Sequence, residues 1–274
     1  MDVSGKTKIV CIFGYPVEHS LSPNMHNAAF EKLGLDMCYV PFKVAPHDLP
    51  AAVNSIRALG MLGVNTTVPH KENVIVLLDE VDKEALFIGA VNTIVNTDGR
   101  LKGYNTDGRG FMSSLSEENI TIDNKDVLVI GTGGASRAIS YYLSEKASKL
   151  FMFDIDKTKA QKLVDDLSKI RDNVTLLDDI KQAGKPDIII NATPLGLKDT
   201  DPLPFDTNKI TSEMVVCDLI YKETPLLKEA KARGAKTING SGMLLWQGVL
   251  AFELWTGVKP PVDVMRKVLL AKIK

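Results

Sequence analysis

The segment Val127-Leu-Val-Ile-Gly-Thr-Gly-Gly-Ala-Ser136 decides the fold, because it runs from an apolar strand directly into a glycine-rich turn. A segment of helical period containing Arg137, Ala138 and Tyr141 follows. A dinucleotide pyrophosphate site requires this order, since glycines let backbone amides approach phosphates at a helix N-terminus. The residues expected to do so are Gly131, Thr132, Gly133, Gly134 and Ala135. The alternative is that the glycines only make a tight turn between strand and helix.

The next strand ends at Asp154, 23 positions after Gly131. This spacing is near the ~20-residue offset at which an acidic residue bonds the ribose 2′-hydroxyl of NAD. A carboxylate there repels the 2′-phosphate of NADP, and Ile155 beside it offers no guanidinium to bind that phosphate. The sequence therefore predicts NAD or NADP as cofactor, with a preference for NAD. The alternative is a solvated strand end at which Lys157 or Lys159 accepts a phosphate.

Short β-branched runs alternate with segments of helical period along the chain, which predicts an α/β fold of parallel strands joined by crossover helices. Strands are expected at residues 9–13, 38–44, 62–67, 91–96, 127–131, 150–154, 188–191 and 215–218. Helices are expected at residues 23–33, 47–59, 71–78, 157–170, 241–255 and 262–272, with a connecting helix from Asp107. In the helix at 157–170, one apolar face is predicted from Ala160, Leu163, Val164, Leu167 and Ile170.

Composition excludes several classes of protein. The 274 residues suffice for about two domains, and 45% are hydrophobic. A formal net charge of -1 disfavours binding to nucleic acid or to an acidic membrane. The most apolar stretch, residues 243–255, contains Gln247 and Glu253 and is far shorter than the ~20 residues that span a bilayer.

Cys11, Cys38 and Cys217 lie among apolar residues and have no metal-ligand spacing, which indicates reduced, buried thiols. The polar N-terminus lacks a secretory pattern. We therefore expect a cytoplasmic protein without a metal site.

Polar residues follow the apolar runs of the first hundred residues. Ser20 and Ser22 place two hydroxyls on a turn before Pro23, an arrangement that can hold an anion. Taken alone, Ser22 is more simply interpreted as a helix N-cap. A second polar segment carries an amide at Asn65 and a hydroxyl at Thr67.

A lysine, an amide and a carboxylate come next along the chain. They are Lys71, Asn92 and Asp107. Two of them also have an ordinary explanation, since most lysines lie at the surface and an aspartate at the start of a helix is often its cap.

Taken in order, these segments resemble the shikimate dehydrogenase family over nearly the whole chain, from Gly14 to about Gly257. The matching phrases are His19-Ser-Leu-Ser-Pro23, Pro69-His-Lys71, Gly89-Ala-Val-Asn-Thr93, Asn105-Thr-Asp107, Gly131-Thr-Gly-Gly-Ala-Ser-Arg137, Asn191-Ala-Thr-Pro-Leu-Gly196 and Met243-Leu-Leu-Trp-Gln-Gly248. The resemblance implies an oxidoreductase that reversibly reduces 3-dehydroshikimate to shikimate with a nicotinamide cofactor, in aromatic amino-acid (chorismate) biosynthesis.

The resemblance also implies roles for residues. Lys71 and Asp107 would be the catalytic pair. Substrate would be bound by Ser20, Ser22, Asn65, Thr67, Asn92, Tyr221 and Gln247. Leu219 and Gly240 would join the glycine turn and Asp154 in binding the cofactor. Gln247, an amide in an apolar helix, is expected to be buried with a partner.

The implied architecture has two domains. Residues 1–106 and 241–274 would form an α/β substrate-binding domain, and residues 107–240 an inserted Rossmann-like dinucleotide-binding domain, with the active site in the cleft between them. A homodimer is a candidate state.

Two departures from the family pattern matter. The segment from Tyr221 to Thr224 is about two residues shorter than usual, which weakens the assignment of Tyr221. The arginine that NADP-using members carry after the strand is replaced by Ile155, as in members that accept NAD and sometimes quinate. A quinate/shikimate dehydrogenase with NAD is thus one alternative. Others are a methylenetetrahydrofolate dehydrogenase and a non-catalytic NAD(P)-binding regulator.

Overall fold

The computed structural model describes residues 3–198 and 200–273. Within them are twelve strands and nine α-helices. The strands are β1 (Lys8–Gly14), β2 (Met37–Lys43), β3 (Gly63–Thr66), β4 (Glu80–Val81), β5 (Thr93–Thr97), β6 (Arg100–Tyr104), β7 (Asp126–Ile130), β8 (Lys149–Phe153), β9 (Val174–Leu176), β10 (Ile188–Asn191), β11 (Val215–Asp218) and β12 (Lys236–Ile238). The helices are α1 (Ser22–Leu33), α2 (Leu49–Ala58), α3 (Lys83–Ile88), α4 (Asp107–Glu117), α5 (Gly134–Lys146), α6 (Lys157–Ser168), α7 (Pro225–Ala232), α8 (Ser241–Thr256) and α9 (Val262–Lys272).

The chain divides into two compact units. The first takes the described residues of Met1–Thr106 and Leu245–Lys274, and the second takes those of Asp107–Leu244. Each unit holds one six-stranded sheet. The α/β class predicted from the sequence is confirmed.

The sheet of the first unit is mixed, in the order β2-β1-β3-β5-β6-β4. β1 pairs in parallel with β2 and β3, whereas β5 is antiparallel to both β3 and β6. The expectation of parallel strands throughout is therefore wrong for β5. The reason is a tight hairpin between β5 and β6, where Asp98 and Gly99 both have positive φ, 51° and 89°. Asp-Gly is a signal for such a turn, and sequence reasoning overlooked it.

The helix predicted over residues 71–78 is also wrong. The structure has turns there and one short 3-10 helix, Ile75–Leu77. The segment contains consecutive β-branched residues, of which Val74 is fully buried while Val76 is 86% exposed. β-Branched residues lose side-chain freedom in a helix, and a single buried position supplies no apolar stripe to compensate.

The core of the first unit lies on both sides of its central strands. One cluster joins Cys11 and Val64 of β1 and β3 to Val53 and Ile56 of α2. α8 contributes Trp255, whose indole Nε1 donates to the carbonyl of Ile94 at 2.9 Å. α8 thus packs on the N-terminal sheet.

The second unit has a wholly parallel sheet in the order β12-β11-β10-β7-β8-β9. Its first strand, β7, is central, and the chain winds outward in both directions, which is the doubly wound arrangement. α6 buries Ala160, Leu163, Val164 and Leu167 as predicted. Ile170 lies beyond the helix and is 39% exposed, so its place on that face is a wrong prediction.

Cys11 and Cys217 are free and buried, and burial raises the pKa of the Cys217 thiol to about 12. Cys38 is free but only half-buried, because its position on β2 leaves part of it accessible, so the expectation that all three are buried is wrong for it. Among the described residues, no helix is long and apolar enough to cross a membrane.

Candidate functional site

The polar residues predicted for substrate lie at one edge of the first unit's sheet. β1 and β3 end there at Gly14 and Thr66, and the antiparallel β5 begins there at Thr93. Carboxyl ends of parallel strands meet at one edge, where ligands bind in open α/β sheets. A hairpin strand that begins at the same edge adds its first residues to the site.

The serine turn precedes α1. The helix begins at Ser22, with Leu21 at the N-cap position and no side-chain cap. Ser22 therefore does not cap the helix, and it is 5% exposed. Ser20 is half-buried, and its Oγ accepts from the amide of Ser22 at 3.4 Å. The two hydroxyls thus stand together at the start of a helix, where the backbone favours an anion.

Asn65, on β3, is 4% exposed and its amide is held at both ends. Its Oδ1 accepts from the Tyr39 hydroxyl at 2.7 Å. Its Nδ2 donates to the carbonyl of Asn92 at 2.9 Å and to Thr93 Oγ1 at 3.0 Å. The orientation of this amide is therefore determined by its neighbours, which is what a residue that orients a ligand requires.

Asn92 continues the network toward the end of β6. Its Oδ1 accepts from Thr93 Oγ1 and from the amide of Thr106, both at 2.9 Å. Its Nδ2 donates to Thr106 Oγ1 at 2.9 Å. Thr106 is followed in the chain by Asp107, the first residue of α4, which is 7% exposed. A buried carboxylate thus directly follows a fixed segment of backbone.

Lys71 and Thr67 are placed by backbone contacts. The Lys71 carbonyl accepts from the amide of Val91 at 2.8 Å, so the backbone at Lys71 lies beside the segment that carries Asn92. The Thr67 amide donates to the carbonyl of Phe13 at 2.9 Å. Both side chains are half-buried. The first unit therefore brings Ser20, Ser22, Asn65, Thr67, Lys71 and Asn92 to the same sheet edge.

Gln247 and Tyr221 are less enclosed. Gln247 lies in the part of α8 that belongs to the first unit and is half-buried. Tyr221, in the second unit, is 45% exposed after β11.

The glycine turn of the second unit joins β7 to α5. Gly131 has φ +98°, and a Cβ there would lie 2.9 Å from the carbonyl oxygen of Ala192. Gly131 is thus required by the fold itself. Gly133 and Gly134 differ, because a Cβ at either would meet nothing within 4 Å.

The start of α5 is open to a ligand. Its N-cap residue is Gly133, which has no side chain to occupy the first amides of the helix. Thr132 is 4% exposed, and Ala135 lies exposed in the first turn. An open helix N-terminus on a glycine turn fits a dinucleotide pyrophosphate.

Asp154 is tied to that turn. Its Oδ2 accepts from the amide and the hydroxyl of Thr132, both at 2.7 Å, and its Oδ1 accepts from the amide of Asp156 at 3.0 Å. Burial opposes ionisation of Asp154, but these hydrogen bonds outweigh it and hold its pKa below the usual value. A fixed negative charge therefore stands beside the glycine turn.

The two lysines considered as phosphate ligands at this end of β8, Lys157 and Lys159, lie in different surroundings. Lys157 Nζ donates to the carbonyls of Leu177 and Asp178, at 2.8 and 3.0 Å, and lies 4.5 Å from the centre of the Phe153 ring. Ile155 is 92% exposed, and Lys159 is exposed on the first turn of α6. Lys157 is thus engaged by the protein.

Sequence reasoning missed a buried carboxylate, Asp218, at the end of β11. It accepts from Asn191 Nδ2 at 3.0 Å, from Thr224 Oγ1 at 2.8 Å and from the amide of Ile220 at 3.0 Å. Burial raises the pKa of Asp218, while these hydrogen bonds act to lower it. The signal was the position of Asn191 and Asp218 at the ends of neighbouring strands.

Asp218 and Asn191 order the loops that follow β10 and β11. Asn191 Oδ1 accepts from the amide and hydroxyl of Thr193, and its carbonyl accepts from the amide of Leu219 at 3.0 Å. Leu219 packs against Gly240, where a Cβ would lie 2.1 Å from the Leu219 carbonyl oxygen. Both residues predicted to help bind the cofactor therefore stand together at the carboxyl ends of the strands.

Within residues 3–198 and 200–273, no group of three or more His, Cys, Asp or Glu side chains is placed to hold a metal ion.

The chain matches two family models. The shikimate dehydrogenase substrate binding domain matches residues 12–94, and the shikimate 5'-dehydrogenase C-terminal domain matches residues 240–270. A shikimate dehydrogenase (NADP(+)) of Desulforamulus reducens is 47% identical, over 97% of this chain and 96% of the relative.

Solved structures agree with these matches. A crystal structure of a shikimate dehydrogenase in complex with NADP+ has a TM-score of 0.94 and 42% identity, covering 100% of this chain and 98% of that one. The shikimate 5-dehydrogenase of Listeria monocytogenes, solved with shikimate and NAD, has a TM-score of 0.93 and 36% identity, covering 98% of each chain. This chain belongs to the shikimate dehydrogenase family.

Proposed function

We propose that this protein is an NAD(P)-dependent oxidoreductase that interconverts 3-dehydroshikimate and shikimate. The observation that carries the proposal is the buried hydrogen-bonded series from Asn65 through Thr93 and Asn92 to Thr106, beside the backbone of Lys71. It presents fixed amides and a lysine at one sheet edge, as recognition of a small polyhydroxylated acid requires. The nicotinamide cofactor supplies the hydride when it is bound.

The proposed substrate residues bind different parts of the substrate, according to their chemistry. The hydroxyls of Ser20 and Ser22 bind the carboxylate, because they stand at a helix start that favours an anion. Asn65 and Thr67 orient the ring. Asn92, Asp107, Gln247 and Tyr221 contact the remaining polar atoms, with Tyr221 the least supported because it is 45% exposed.

Lys71 and Asp107 are proposed as the catalytic pair. Hydride addition to a ketone builds negative charge on its oxygen, and an ammonium held there stabilises that charge and donates the proton. Asp107 accepts a hydrogen bond from a substrate hydroxyl. Its burial, at 7% exposure, strengthens that interaction by excluding water.

The cofactor is bound by the second unit, through Gly131 to Ala135, Leu219 and Gly240. We propose that NAD is preferred over NADP, because the ionised Asp154 repels a 2′-phosphate and Lys157 is already engaged by two carbonyls. The relative from Desulforamulus reducens is named for NADP(+). A steady-state comparison of kcat/KM should give an NAD-to-NADP ratio above one, and a tenfold preference for NADP would contradict this proposal.

The central test is the absorbance of reduced nicotinamide. The purified protein is mixed with shikimate and either NAD or NADP, and absorbance should rise with at least one of them. The absence of a signal with both would refute the proposed activity. Quinate in place of shikimate tests the alternative substrate, and we expect the lower kcat/KM with quinate.

Residues 1–106 and 241–274 are proposed as the substrate-binding domain, and residues 107–240 as the dinucleotide-binding domain. A cytoplasmic location, a homodimer and the absence of a nucleic-acid partner stay predictions from the sequence.

A further inference from the structure

Tyr39, on β2, is the buried hydrogen-bond partner of one of the proposed substrate residues. It is 1% exposed. Its hydroxyl donates to Asn65 Oδ1 at 2.7 Å. One phenol thus supports a residue proposed to orient the ring, yet Tyr39 itself is not among the proposed substrate residues.

The ring of Tyr39 is fixed by its neighbours. His26 stacks on it with centroids 4.6 Å apart and an interplanar angle of 6°, and the Trp255 ring lies 6.0 Å away. Trp255 is itself held by its hydrogen bond to the Ile94 carbonyl. Because the ring cannot turn without disturbing this cluster, the direction of its hydroxyl is set by packing.

The hydroxyl also completes the hydrogen bonding of the Asn65 amide. Burial raises the pKa of Tyr39 well above its usual value, so the phenol stays protonated and remains a donor. The Asn92 carbonyl can only accept, so it fixes the amide orientation in which Oδ1 faces Tyr39, and the Tyr39 hydroxyl is the donor that Oδ1 receives. In that orientation Nδ2 is directed to the Asn92 carbonyl and Thr93 Oγ1, which ties Asn65 to the rest of the network.

We propose that Tyr39 is a positioning residue for substrate, which acts through Asn65 without touching the substrate itself. This inference rests on the proposed function. Removing the hydroxyl leaves Asn65 Oδ1 without its buried donor, so the amide loses one of the contacts that hold it in place. The loss should weaken substrate binding and leave cofactor binding unchanged.

The test is Tyr39→Phe, which keeps the ring in its stack and removes one oxygen. We expect KM for shikimate to rise about tenfold, the effect of losing one buried hydrogen bond, with kcat changed less than threefold. KM for the cofactor should stay at the parent value. The matched control is Tyr142→Phe in the second unit, which removes a hydroxyl bonded by Arg109 Nε at 3.1 Å and should leave KM for shikimate unchanged.

A double-mutant cycle separates positioning from general loss of structure. If Tyr39 acts through Asn65, Tyr39→Phe combined with Asn65→Ala should raise KM for shikimate no more than twofold beyond Asn65→Ala alone. The inference would be overturned if the rise in KM for shikimate in the double variant equalled the product of the rises in the two single variants.

The remaining outcomes are distinguishable. An inactive parent would refute the proposed function, whereas an active parent with a Tyr39→Phe variant of equal KM would refute only the role of Tyr39. If Tyr39→Phe lacks a cooperative thermal transition, Thr93→Val tests the same network, because it removes one of the two acceptors of Asn65 Nδ2. An unchanged KM for shikimate in a folded Thr93→Val variant would then overturn the inference.

Discussion

The proposed ligand sites of the two units are built from different groups, side chains in the first unit and backbone amides in the second. In the first unit, polar side chains are buried and bonded to one another, as Asn65 is to Tyr39, Asn92 and Thr93. In the second unit, the ligand surface is bare backbone at Gly133 and Gly134, where a Cβ would meet nothing within 4 Å. A polyhydroxylated ring must be recognised in several directions, which requires fixed side chains, whereas a pyrophosphate requires only amides of one polarity. Substitutions should therefore act differently in the two units.

The largest effect is expected at Lys71. Lys71→Met removes the proposed proton donor and should reduce kcat by about 10²–10⁴-fold, with a smaller change in KM for shikimate. Steady-state kinetics measure both. Lys83→Met, at an exposed lysine of the same unit, is the control and should retain the parent kcat. Equal turnover of the Lys71 variant and the parent would contradict its catalytic role.

In the glycine turn, alanine substitutions at Gly131 and Gly133 should have different effects on stability and on cofactor binding. Gly131→Ala forces a side chain into φ +98° and places its Cβ 2.9 Å from the Ala192 carbonyl oxygen. It should lower the free energy of unfolding by about 2 kcal/mol or more. Gly133→Ala meets open space and should fold with the parent stability while raising KM for the cofactor. Chemical denaturation of both variants measures the difference, and equal stabilities would show that Gly131 is not required by the fold.

His26 should make the stability of the first unit depend on pH. Burial lowers its pKa to about 3 from its ordinary value of 6.5, and the titratable group that faces its ring is Tyr39. Between these two pKa values His26 is protonated in the unfolded chain and neutral in the folded one. The free energy of unfolding therefore keeps its full value above pH 6.5 and declines as pH falls toward 3. The slope should reach about 1.4 kcal/mol per pH unit between roughly pH 6 and 5.

His26→Phe removes that titration and keeps an aromatic ring against Tyr39. Urea unfolding at several pH values should give a flatter dependence for His26→Phe than for the parent between pH 6 and 5. The exposed His47 provides the control, since His47→Ala should keep the parent slope. Identical slopes for all three proteins would show that His26 does not titrate as its burial implies.

The smallest effect concerns the choice of cofactor. Ile155→Arg places a guanidinium at a position that is 92% exposed beside the glycine turn. It should raise kcat/KM for NADP relative to NAD by about tenfold, because a guanidinium pairs with a 2′-phosphate. Ile155→Leu is the control and should leave the ratio unchanged. A ratio that does not move in Ile155→Arg would mean that Asp154 alone decides between the cofactors.

The inner strands of the second unit were predictable from the sequence. Its strands β7, β8, β10 and β11 coincide with predicted segments, because a parallel sheet covered on both faces produces continuous apolar runs. The elements that were not predicted are β4, β6 and α3 of the first unit and β9, β12 and α7 of the second. Of these, β4, β9, β12 and α3 are only two, three, three and six residues long, too short for hydrophobic periodicity to reveal them.

The sequence predicted which residues belong to the candidate site, but it did not predict the hydrogen bonds between them. Ser22, Asn65 and Asn92 were chosen for their residue types and their motifs. Tyr39 was not chosen, because a tyrosine within an apolar strand is typical of a sheet core and nothing local directs its hydroxyl toward Asn65. Asp218 was missed for the same reason, since its partners Asn191 and Thr224 come from separate segments of the chain.

The sequence by itself determined the α/β class, the glycine turn and the family, because these depend on local patterns that survive along the chain. The tertiary structure alone decided that β5 runs antiparallel, that the Tyr39 hydroxyl bonds Asn65, and that Lys157 is engaged by two carbonyls. Each of these depends on contacts between residues distant in sequence. Such contacts form only when burial brings the segments together, and the resulting hydrogen bonds then satisfy the polar groups that burial has removed from water.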